Sequence, residues 1–355
     1  MAEQDFMYFV RDFKEATKVG SEYSSVEYEV MADTHFVGEI EYGPFYFTIW
    51  EITNKGSGEE RKLCLRFRQK TVSYEDQPWV GATKNGYYHG GGSADELIAL
   101  ASLFLRRRLK LGPVVRMGDK PIFFAKSRNW IDKALIEGQS NLGELTEWIK
   151  FVEELDIKYH LKFILAVKMY HRALQEIEGQ PDIAYLNLVS AIEVLCQDTK
   201  IADVKLFEIN CGLAKLLGKI ENEDLRADIE KALLEKERFI GRRFVTFIMN
   251  HIDDEFWNYP DRPEHGKINP GDLPFLLKRI YDQRSRTLHS GEPFPPQIFE
   301  PPFNGAEIDT SLGTSIGDKK WTPKDYIPHP HFFERLVNYV LKEFLKKNNR
   351  TQTTD

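Results

Sequence analysis

An arginine and a histidine separated by four residues are the clearest chemical signal in this chain. The segment YDQRSRTLHSG at residues 281–291 contains Arg284 and His289, with Arg286 between them. A histidine exchanges protons near neutral pH, and an arginine holds a phosphate through a planar, permanently charged fork of donors. These residue types favour phosphodiester chemistry that uses neither a metal ion nor a cofactor.

A helix limits how these side chains can act together. The apolar spacing before the motif predicts a helix over residues 272–289. On a regular helix Arg284 and His289 lie about 140° apart, whereas Arg286 and His289 share a face. We therefore expect the helix to loosen near its C-terminal end, so that both arginines reach one phosphate, with Arg286 as the reserve for Arg284. The alternative is a histidine that only interacts with carbonyl groups at the helix end.

A glutamate on a second helix is the next candidate. Residues 183–196 place leucine, isoleucine and valine around most of the helix circumference, and Glu193 lies among them. A buried carboxylate needs a partner to remain charged. We predict an ion pair between Glu193 and Arg284 or Arg286. The alternatives are that Glu193 faces solvent or caps another element.

Two separated stretches carry a family resemblance. The run AIEVL at residues 191–195, followed about ninety residues later by IYDQRSRTLHSG at residues 280–291, resembles the HEPN superfamily and its Apea-like branch. The resemblance covers about residues 156–347. It implies a dimerising helical bundle and a metal-independent ribonuclease with Arg284 and His289 as catalytic residues. Ser285 occupies the polar position after the arginine.

The resemblance implies a specific reaction on RNA. A 2′-hydroxyl attacks the neighbouring phosphate, leaving a 2′,3′-cyclic phosphate and a 5′-hydroxyl. His289 would serve as general base or acid, and Arg284 would stabilise charge on the phosphorane oxygens. One histidine cannot easily be acid and base in one step, so a homodimer would supply the second group. The Apea-like branch is also associated with bacterial defence against phage.

A second function remains open at this point. In it, the chain is a catalytically silent HEPN module for dimerisation or nucleotide binding, and Arg284 and His289 are structural. The two hypotheses differ in whether substitution of His289 abolishes RNA cleavage.

The composition is that of a folded protein with room for two domains. The chain has 355 residues, of which 42% are hydrophobic and 29% charged. It shows neither the apolar run of a signal peptide at its start nor a segment long enough to span a bilayer, so we expect no membrane association. Cys64, Cys196 and Cys211 are scattered and form no Cys-x-x-Cys pair, which favours a reducing, cytoplasmic setting.

The net charge argues against a protein that coats nucleic acid broadly. It is -7, whereas phosphate contacts supply non-specific binding. Two windows have the opposite sign. Residues 231–250 carry five basic and two acidic side chains, and residues 278–289 carry four basic and one acidic. Both can be solvated helix faces or part of an RNA-binding surface.

The N-terminal third has the pattern of strands. Runs rich in aromatic and β-branched residues alternate with turn sequences, including residues 54–58. The expected strands are residues 35–40, 45–53 and 62–69. Ser93 and Glu96 then have the spacing of a capping box, which predicts a helix to about residue 109 that packs on the sheet and stops at Gly112.

The fold class predicted from these patterns is α+β. Helical periodicity dominates after residue 144. The expected parts are a strand-rich α+β domain at residues 1–125, a connecting helical segment at 126–155, an all-α HEPN-like bundle at 156–348 and a polar tail at 349–355. Further helices are expected at residues 163–177, 204–219, 224–251 and 331–347. The proline-rich segment at about residues 292–330 cannot be one helix, and it either walls the site, covers a partner subunit or is a disordered insertion.

An acidic cluster offers a different kind of site. His251, Asp253, Asp254 and Glu255 have side chains that can bind a metal ion, and a hydrolase based on Asp253 and Asp254 would need such a cation. Residues of these types after a helix more often form a solvated terminus, which is our interpretation.

Three further motifs have simpler explanations than chemistry. The loop YHGGG at residues 88–92 can bind an anion through backbone amides, but it is also a flexible turn. The run GLAKLLGKI at residues 212–220 imitates a phosphate loop without Ser or Thr after the lysine, so we expect a helix end. His329 and His331 flank Pro330 and have no obvious third ligand. We predict no metal site.

Overall fold

The structure is a computed structural model that combines an antiparallel sheet with many helices, so the predicted α+β class is confirmed. It describes residues 6–19, 22–53, 59–70, 92–118, 120–121, 136, 138–202, 206–209, 211–236, 239–260, 262–309, 313–316 and 319–349. The predicted turn at residues 54–58 and nearly all of the loop at residues 88–92 lie outside these ranges, as do parts of the predicted connecting segment and polar tail.

The helices and strands of the described residues are as follows, in chain order. The strands are β1 (Tyr23–Ala32), β2 (Phe36–Val37), β3 (Ile40–Tyr42), β4 (Phe45–Thr53), β5 (Glu59–Lys70), β6 (Leu109–Met117), β7 (Lys120–Pro121), β8 (Ser140–Asn141), β9 (Thr314–Ile316) and β10 (Lys319–Trp321). The helices are α1 (Phe6–Val19), α2 (Ser93–Leu105), α3 (Leu145–Glu154), α4 (Ile157–Glu176), α5 (Pro181–Cys196), α6 (Leu206–Ile209), α7 (Cys211–Leu217), α8 (Glu223–Lys236), α9 (Ile240–His251), α10 (Asp254–Trp257), α11 (Leu273–Ser290) and α12 (Pro330–Lys347). Short 3₁₀ turns lie at Leu142–Glu144, Pro270–Asp272, Pro296–Phe299 and Phe303–Gly305.

The N-terminal sheet has the strand order β3-β4-β5-β1-β6-β7, and its neighbours pair antiparallel. The register aligns Tyr28 with Leu65 and Leu65 with Phe47, which places these side chains on one face. Leu65 and Phe47 are buried, and α2 packs against β6 and α4. The predicted packing of this helix on the sheet is therefore confirmed.

The end of α2 differs from the prediction. The helix stops at Leu105 because Arg106 adopts the left-handed conformation, and the chain then enters β6 instead of continuing as a helix to about residue 109. Gly112 lies inside β6, where a Cβ would approach the backbone oxygen of Glu29 to 2.8 Å. The glycine thus permits close strand pairing, and the prediction that it stops a helix is wrong.

The start of α2 is also capped differently. Gly92 is the N-cap, and its backbone N–H donates to the Asp95 carboxylate at 2.8 Å, while Ser93 is already helical. Glu96 is buried and accepts a hydrogen bond from the Lys168 ammonium at 2.6 Å. The predicted capping box of Ser93 and Glu96 is therefore wrong by one position. Gly92 and Asp95 form the cap, and the Glu96 carboxylate binds Lys168 instead.

Two of the predicted helices are divided in the structure, and the one expected over residues 204–219 is found as α6 and α7. The helix expected over residues 224–251 is divided into α8 and α9, since Phe239 has a positive φ of 49°. Phe244, Phe247 and Ile248 form the buried side of α9. α9 packs against α11, and the rings of Phe244 and Tyr281 lie 5.6 Å apart between centroids.

The proline-rich segment is folded where the structure describes it, which contradicts a disordered insertion. It contains two 3₁₀ turns and the β9–β10 hairpin. Its anchor is Glu307, whose buried carboxylate accepts hydrogen bonds from the Tyr259 hydroxyl at 2.7 Å and the Ile268 backbone N–H at 2.6 Å. The guanidinium of Arg335 lies 3.3 Å and that of Arg262 lies 3.5 Å from the same carboxylate.

The chain divides into two compact units, Met1–Ala191 with Val337–Asp355, and Ile192–Leu336. The first unit contains the sheet and α4, and the second contains α11. The predicted domain boundaries near residues 125 and 155 stay a prediction about folding units. None of the described helices is long and apolar enough to cross a membrane.

Candidate functional site

Helix α11 carries the Arg–His motif. Leu273, Leu276, Leu277 and Ile280 recur at three- and four-residue steps and are buried, which fixes one face of the helix on the core. Gly291 ends it with a φ of 67°, and its N–H donates to the Thr287 carbonyl at 3.1 Å. The helix stays α-helical through Ser290, so the expected loosening near its C-terminal end is not found.

Arg284 is directed at Glu193. The guanidinium Nη2 donates to the Glu193 carboxylate at 2.7 Å, and only 20% of the Arg284 side chain and 13% of the Glu193 side chain are exposed. The ion pair predicted from the apolar surroundings of Glu193 is confirmed, and its partner is Arg284. The bond joins residues 91 positions apart and therefore ties α11 to α5.

Tyr281 completes this cluster from one turn earlier on α11. Its hydroxyl is hydrogen-bonded to the Glu193 carboxylate, and burial raises the pKa of Tyr281. Burial also raises the pKa of Glu193, while Arg284 and Tyr281 act in the opposite direction. The ion pair and the hydrogen bond thus only partly offset the cost of desolvating the carboxylate.

Two residues beside this cluster were not identified from the sequence. A Cβ on Gly241 would lie 2.9 Å from the Tyr281 ring, so the glycine allows α9 to approach α11. Burial raises the pKa of Cys196 to about 12, which makes this thiol a packing residue rather than a nucleophile. Tyr281 was not identified from the sequence either. Its three-residue spacing from Arg284 could have indicated it, because this spacing places both side chains on one helix face.

Arg286 lies elsewhere on the helix. It is 48% exposed, with its Nε 3.4 Å from the Glu292 carboxylate, and its Nη2 donates to Gln283 at 2.7 Å. Gln283 is buried and donates to the Pro293 carbonyl at 2.9 Å. These contacts connect the end of α11 to the segment that follows.

His289 is exposed at the C-terminal end of α11. Three helical steps separate it from Arg286, and this spacing puts the two side chains on one face. Arg284 points about 140° away from His289 around the regular helix. Ser285, the residue after Arg284, is partly buried. The structure therefore joins Arg284 with Glu193 and leaves Arg286 with His289 at the surface.

The surface pair has the chemistry for acting on an anion. An exposed imidazole can exchange a proton with a substrate, and a half-exposed guanidinium can bind a phosphate oxygen. Arg284 would reach a phosphate only by sharing its donors with Glu193. Its buried Nε has no hydrogen-bond partner among the described residues.

The acidic cluster after α9 has structural roles. Asp253 caps α10 by accepting from the Glu255 backbone N–H at 2.9 Å, and a ring nitrogen of His251 lies 2.7 Å from the Phe247 carbonyl. No group of three or more potential metal ligands occurs among the described residues. The hydrolase hypothesis based on Asp253 and Asp254 gains no support from this arrangement.

The remaining motifs are placed as follows. Gly218 follows the end of α7, so the run at residues 212–220 is the expected helix end. His329 is buried, and its ring lies 6.0 Å from that of the exposed His331 between centroids. Residues 88–91 lie outside the described ranges.

Comparisons with known proteins leave the family open. No protein-family profile matches the chain, and no curated protein or solved structure gives a significant match.

Proposed function

We propose that this protein is a metal-independent endoribonuclease of the HEPN type that cleaves RNA by attack of a 2′-hydroxyl. The observation that supports the proposal best is the exposed His289 on the same helix face as the half-exposed Arg286. An imidazole with access to water can transfer the protons of a phosphodiester transesterification, and a guanidinium can stabilise the charge that develops on the phosphate oxygens.

In the proposed reaction the 2′-oxygen forms a bond to phosphorus as the bond to the 5′-oxygen breaks. A base takes the proton of the 2′-hydroxyl, and an acid gives a proton to the departing 5′-oxygen. His289 performs one of these transfers. His289 of a second copy performs the other in a homodimer, since a single ring does not readily do both in one step.

The roles of the two arginines differ in this proposal. The resemblance assigns phosphate stabilisation to Arg284, but Arg284 is held in the pair with Glu193. Arg286 has the better access and stabilises charge on the phosphorane oxygens. Arg284 then positions α11 through Glu193, so both arginines matter for different reasons.

Replacement of His289 tests the proposal. We expect His289→Ala to lower cleavage of single-stranded RNA by about 100-fold or more in the presence of EDTA, because general acid–base catalysis contributes about that much. The measurement is gel analysis of an end-labelled RNA, with detection of the 2′,3′-cyclic phosphate. His265→Ala is the matched control, since His265 is an exposed histidine of the same compact unit. Equal cleavage by all three proteins would contradict the proposal.

A catalytically silent module for dimerisation or nucleotide binding is the second candidate. The observation in its favour is the engagement of Arg284 by Glu193, which gives this arginine a structural explanation. If the wild type and His289→Ala both fail to cleave RNA while both dimerise and melt alike, the silent module is the better description. A cytoplasmic role in bacterial phage defence belongs to the ribonuclease proposal and is tested by phage plating on cells with wild-type or His289→Ala protein.

A further inference from the structure

The exposed face of α11 carries an aromatic ring as well as charges. Phe275 is 72% exposed near the start of the helix. Lys278, Arg286 and His289 follow Phe275 by three, eleven and fourteen residues, which places them on this same side of the helix, and all three are exposed. His289 lies fourteen helical steps after Phe275, which corresponds to about 21 Å along the helix.

The ring of Phe275 lies outside the apolar face that α11 packs on the core. Leu276 and Leu277 beside it are buried, so α11 already has an apolar face on the core. A phenylalanine on the opposite side contributes little to folding, yet its ring offers a flat surface on which a nucleobase can stack. Every base has such a face, so this contact does not depend on sequence.

The charged groups on this face are available to phosphates. The ammonium of Lys278 is paired with Asp282 and the guanidinium of Arg286 with Glu292. Both basic side chains are exposed, and ion pairs of this type contribute little to stability. RNA phosphates can therefore compete with Asp282 and Glu292 for these two cations.

We propose that single-stranded RNA lies along the exposed face of α11, with a base stacked on Phe275 and the scissile phosphate at His289. The phosphates between these two points contact Lys278 and Arg286. This inference rests on the proposed ribonuclease function and adds the substrate class and its path. A duplex fits poorly, because its bases are stacked on one another and are not free to stack on the ring.

The experiment measures binding apart from cleavage. A fluorescein-labelled 12-nucleotide 2′-O-methyl RNA lacks the attacking hydroxyl, so fluorescence anisotropy reports affinity for the uncut strand. We expect Phe275→Ala to weaken binding by about 5- to 150-fold and Phe275→Trp to retain it. Phe303→Ala is the matched control, because Phe303 is 79% exposed but lies in the 3₁₀ turn Phe303–Gly305. Its affinity should stay within about twofold of wild type, and thermal melting should be unchanged in both variants.

Substrate length provides a second readout. At about 3.4 Å per nucleotide in a stacked strand, a dinucleotide is several-fold too short to reach from His289 to Phe275. Phe275→Ala should therefore slow cleavage of a 12-nucleotide RNA at low concentration and leave cleavage of a dinucleotide unchanged. Equal effects on both substrates would show that the ring acts through the helix structure and would overturn the proposed path.

The outcomes separate this inference from the ribonuclease proposal. If the wild type binds the 2′-O-methyl strand in a Phe275-dependent manner but cleaves no RNA, the path stands and the enzyme proposal fails. If cleavage depends on His289 while Phe275→Ala binds like wild type, the path fails alone. Absence of any binding by the wild type overturns the path. A change in sedimentation but not in RNA binding on substitution of Phe275 assigns the ring to a protein interface and also overturns it.

Discussion

At the scale of single residues, the pair of Glu193 and Arg284 is the best-defined feature of the motif. Its carboxylate is held by a guanidinium and a tyrosine hydroxyl in a place where burial raises its pKa. Such an ion pair is weak evidence for net stability, because well-packed neutral side chains of similar volume often stabilise a fold equally. Removal of one partner is different, since it leaves the other charge buried.

Substitution of Glu193 distinguishes these effects. Glu193→Ala should lower the free energy of unfolding by about 1–3 kcal/mol, because Arg284 is left without its acceptor. It should also reduce RNA cleavage by displacing α11. Glu193→Gln keeps an oxygen that can accept a hydrogen bond from Arg284. It should therefore reduce the free energy of unfolding and RNA cleavage less than Glu193→Ala does. The measurements are urea denaturation and the RNA assay, and wild-type values for Glu193→Ala in both would contradict the positioning role.

His329 makes the stability depend on pH. Burial lowers its pKa from 6.5 to about 4, the nearby His331 acts in the same direction, and Asp309 opposes them. Between pH 6.5 and 4 the unfolded chain binds a proton on this residue and the folded chain does not. The contribution of the neutral, buried His329 to the free energy of unfolding is therefore fully present above about pH 6.5. It is lost as the pH falls toward 4.

The expected change is about 2 kcal/mol in the free energy of unfolding between pH 7.5 and pH 5. Urea denaturation at the two pH values measures it. His329→Gln should remove this part of the pH dependence, whereas His265→Gln, at an exposed histidine of the same unit, should keep it. An unchanged pH dependence in His329→Gln would assign it to other groups.

At the scale of elements, α11 is fixed at both sides of the motif. The ring of Tyr281 packs on Phe244 of α9, and Gly291 ends α11 in a left-handed turn. After this turn the carbonyls of Glu292 and Pro293 accept hydrogen bonds from Thr287 and Gln283. This makes the geometry of residues 284–289 that of a regular helix. The consequence is that Arg286, not Arg284, shares the surface with His289.

The proline-rich segment is the other element with a definite anchor. Glu307 is fully buried, and Arg335 and Arg262 surround its carboxylate. The Arg335 guanidinium also lies over the rings of Tyr259 and Phe256, at 3.8 Å and 4.2 Å from their centroids. Cation–π contacts and the ion pair thus reinforce one another at this point.

Glu307→Gln should destabilise the protein by about 3–5 kcal/mol, because two mostly buried arginines lose their counter-charge. Glu300→Gln is the control, since Glu300 is an exposed glutamate of the same segment and its substitution should cost less than about 0.5 kcal/mol. Guanidinium denaturation of both variants gives the comparison. Equal midpoints would show that Glu307 does not anchor the segment.

At the scale of the whole molecule, charge sets how RNA can be bound. The net charge is -7, so a broad electrostatic attraction to nucleic acid is absent and local contacts must supply the affinity. The exposed face of α11 offers two cations, Lys278 and Arg286, for this purpose. Few phosphates are then neutralised on binding.

A shallow salt dependence follows. Two contacts on a single strand predict a slope of log K against log salt of about -1.4, and Arg286→Gln should reduce its magnitude by about 0.7. Anisotropy with the 2′-O-methyl strand between 50 and 400 mM KCl measures the slope. A slope of about -5 or steeper would indicate a larger basic surface than α11 provides.

The division of the chain into two compact units has no mark in the local sequence. Their boundaries fall inside α5, after Ala191, and inside α12, after Leu336. Periodicity within a helix continues across such a point, so nothing in the local sequence marks it. At the level of elements, the strands β1 and β6 were not predicted, although the prediction of a mixed α+β chain was correct.

Features that depend on neighbouring residues in the chain could be predicted before the fold was known. The buried stripe and the terminal glycine of α11, the helical end of the run at residues 212–220 and the need of Glu193 for a cationic partner all follow from spacing and residue type. Three other features became known from the folded chain: Arg284 is the partner of Glu193, Tyr281 bonds to the same carboxylate and packs beside Gly241, and Glu307 anchors the proline-rich segment. These contacts join residues tens of positions apart, and chain packing, which local periodicity does not encode, determines which of several suitable side chains meet.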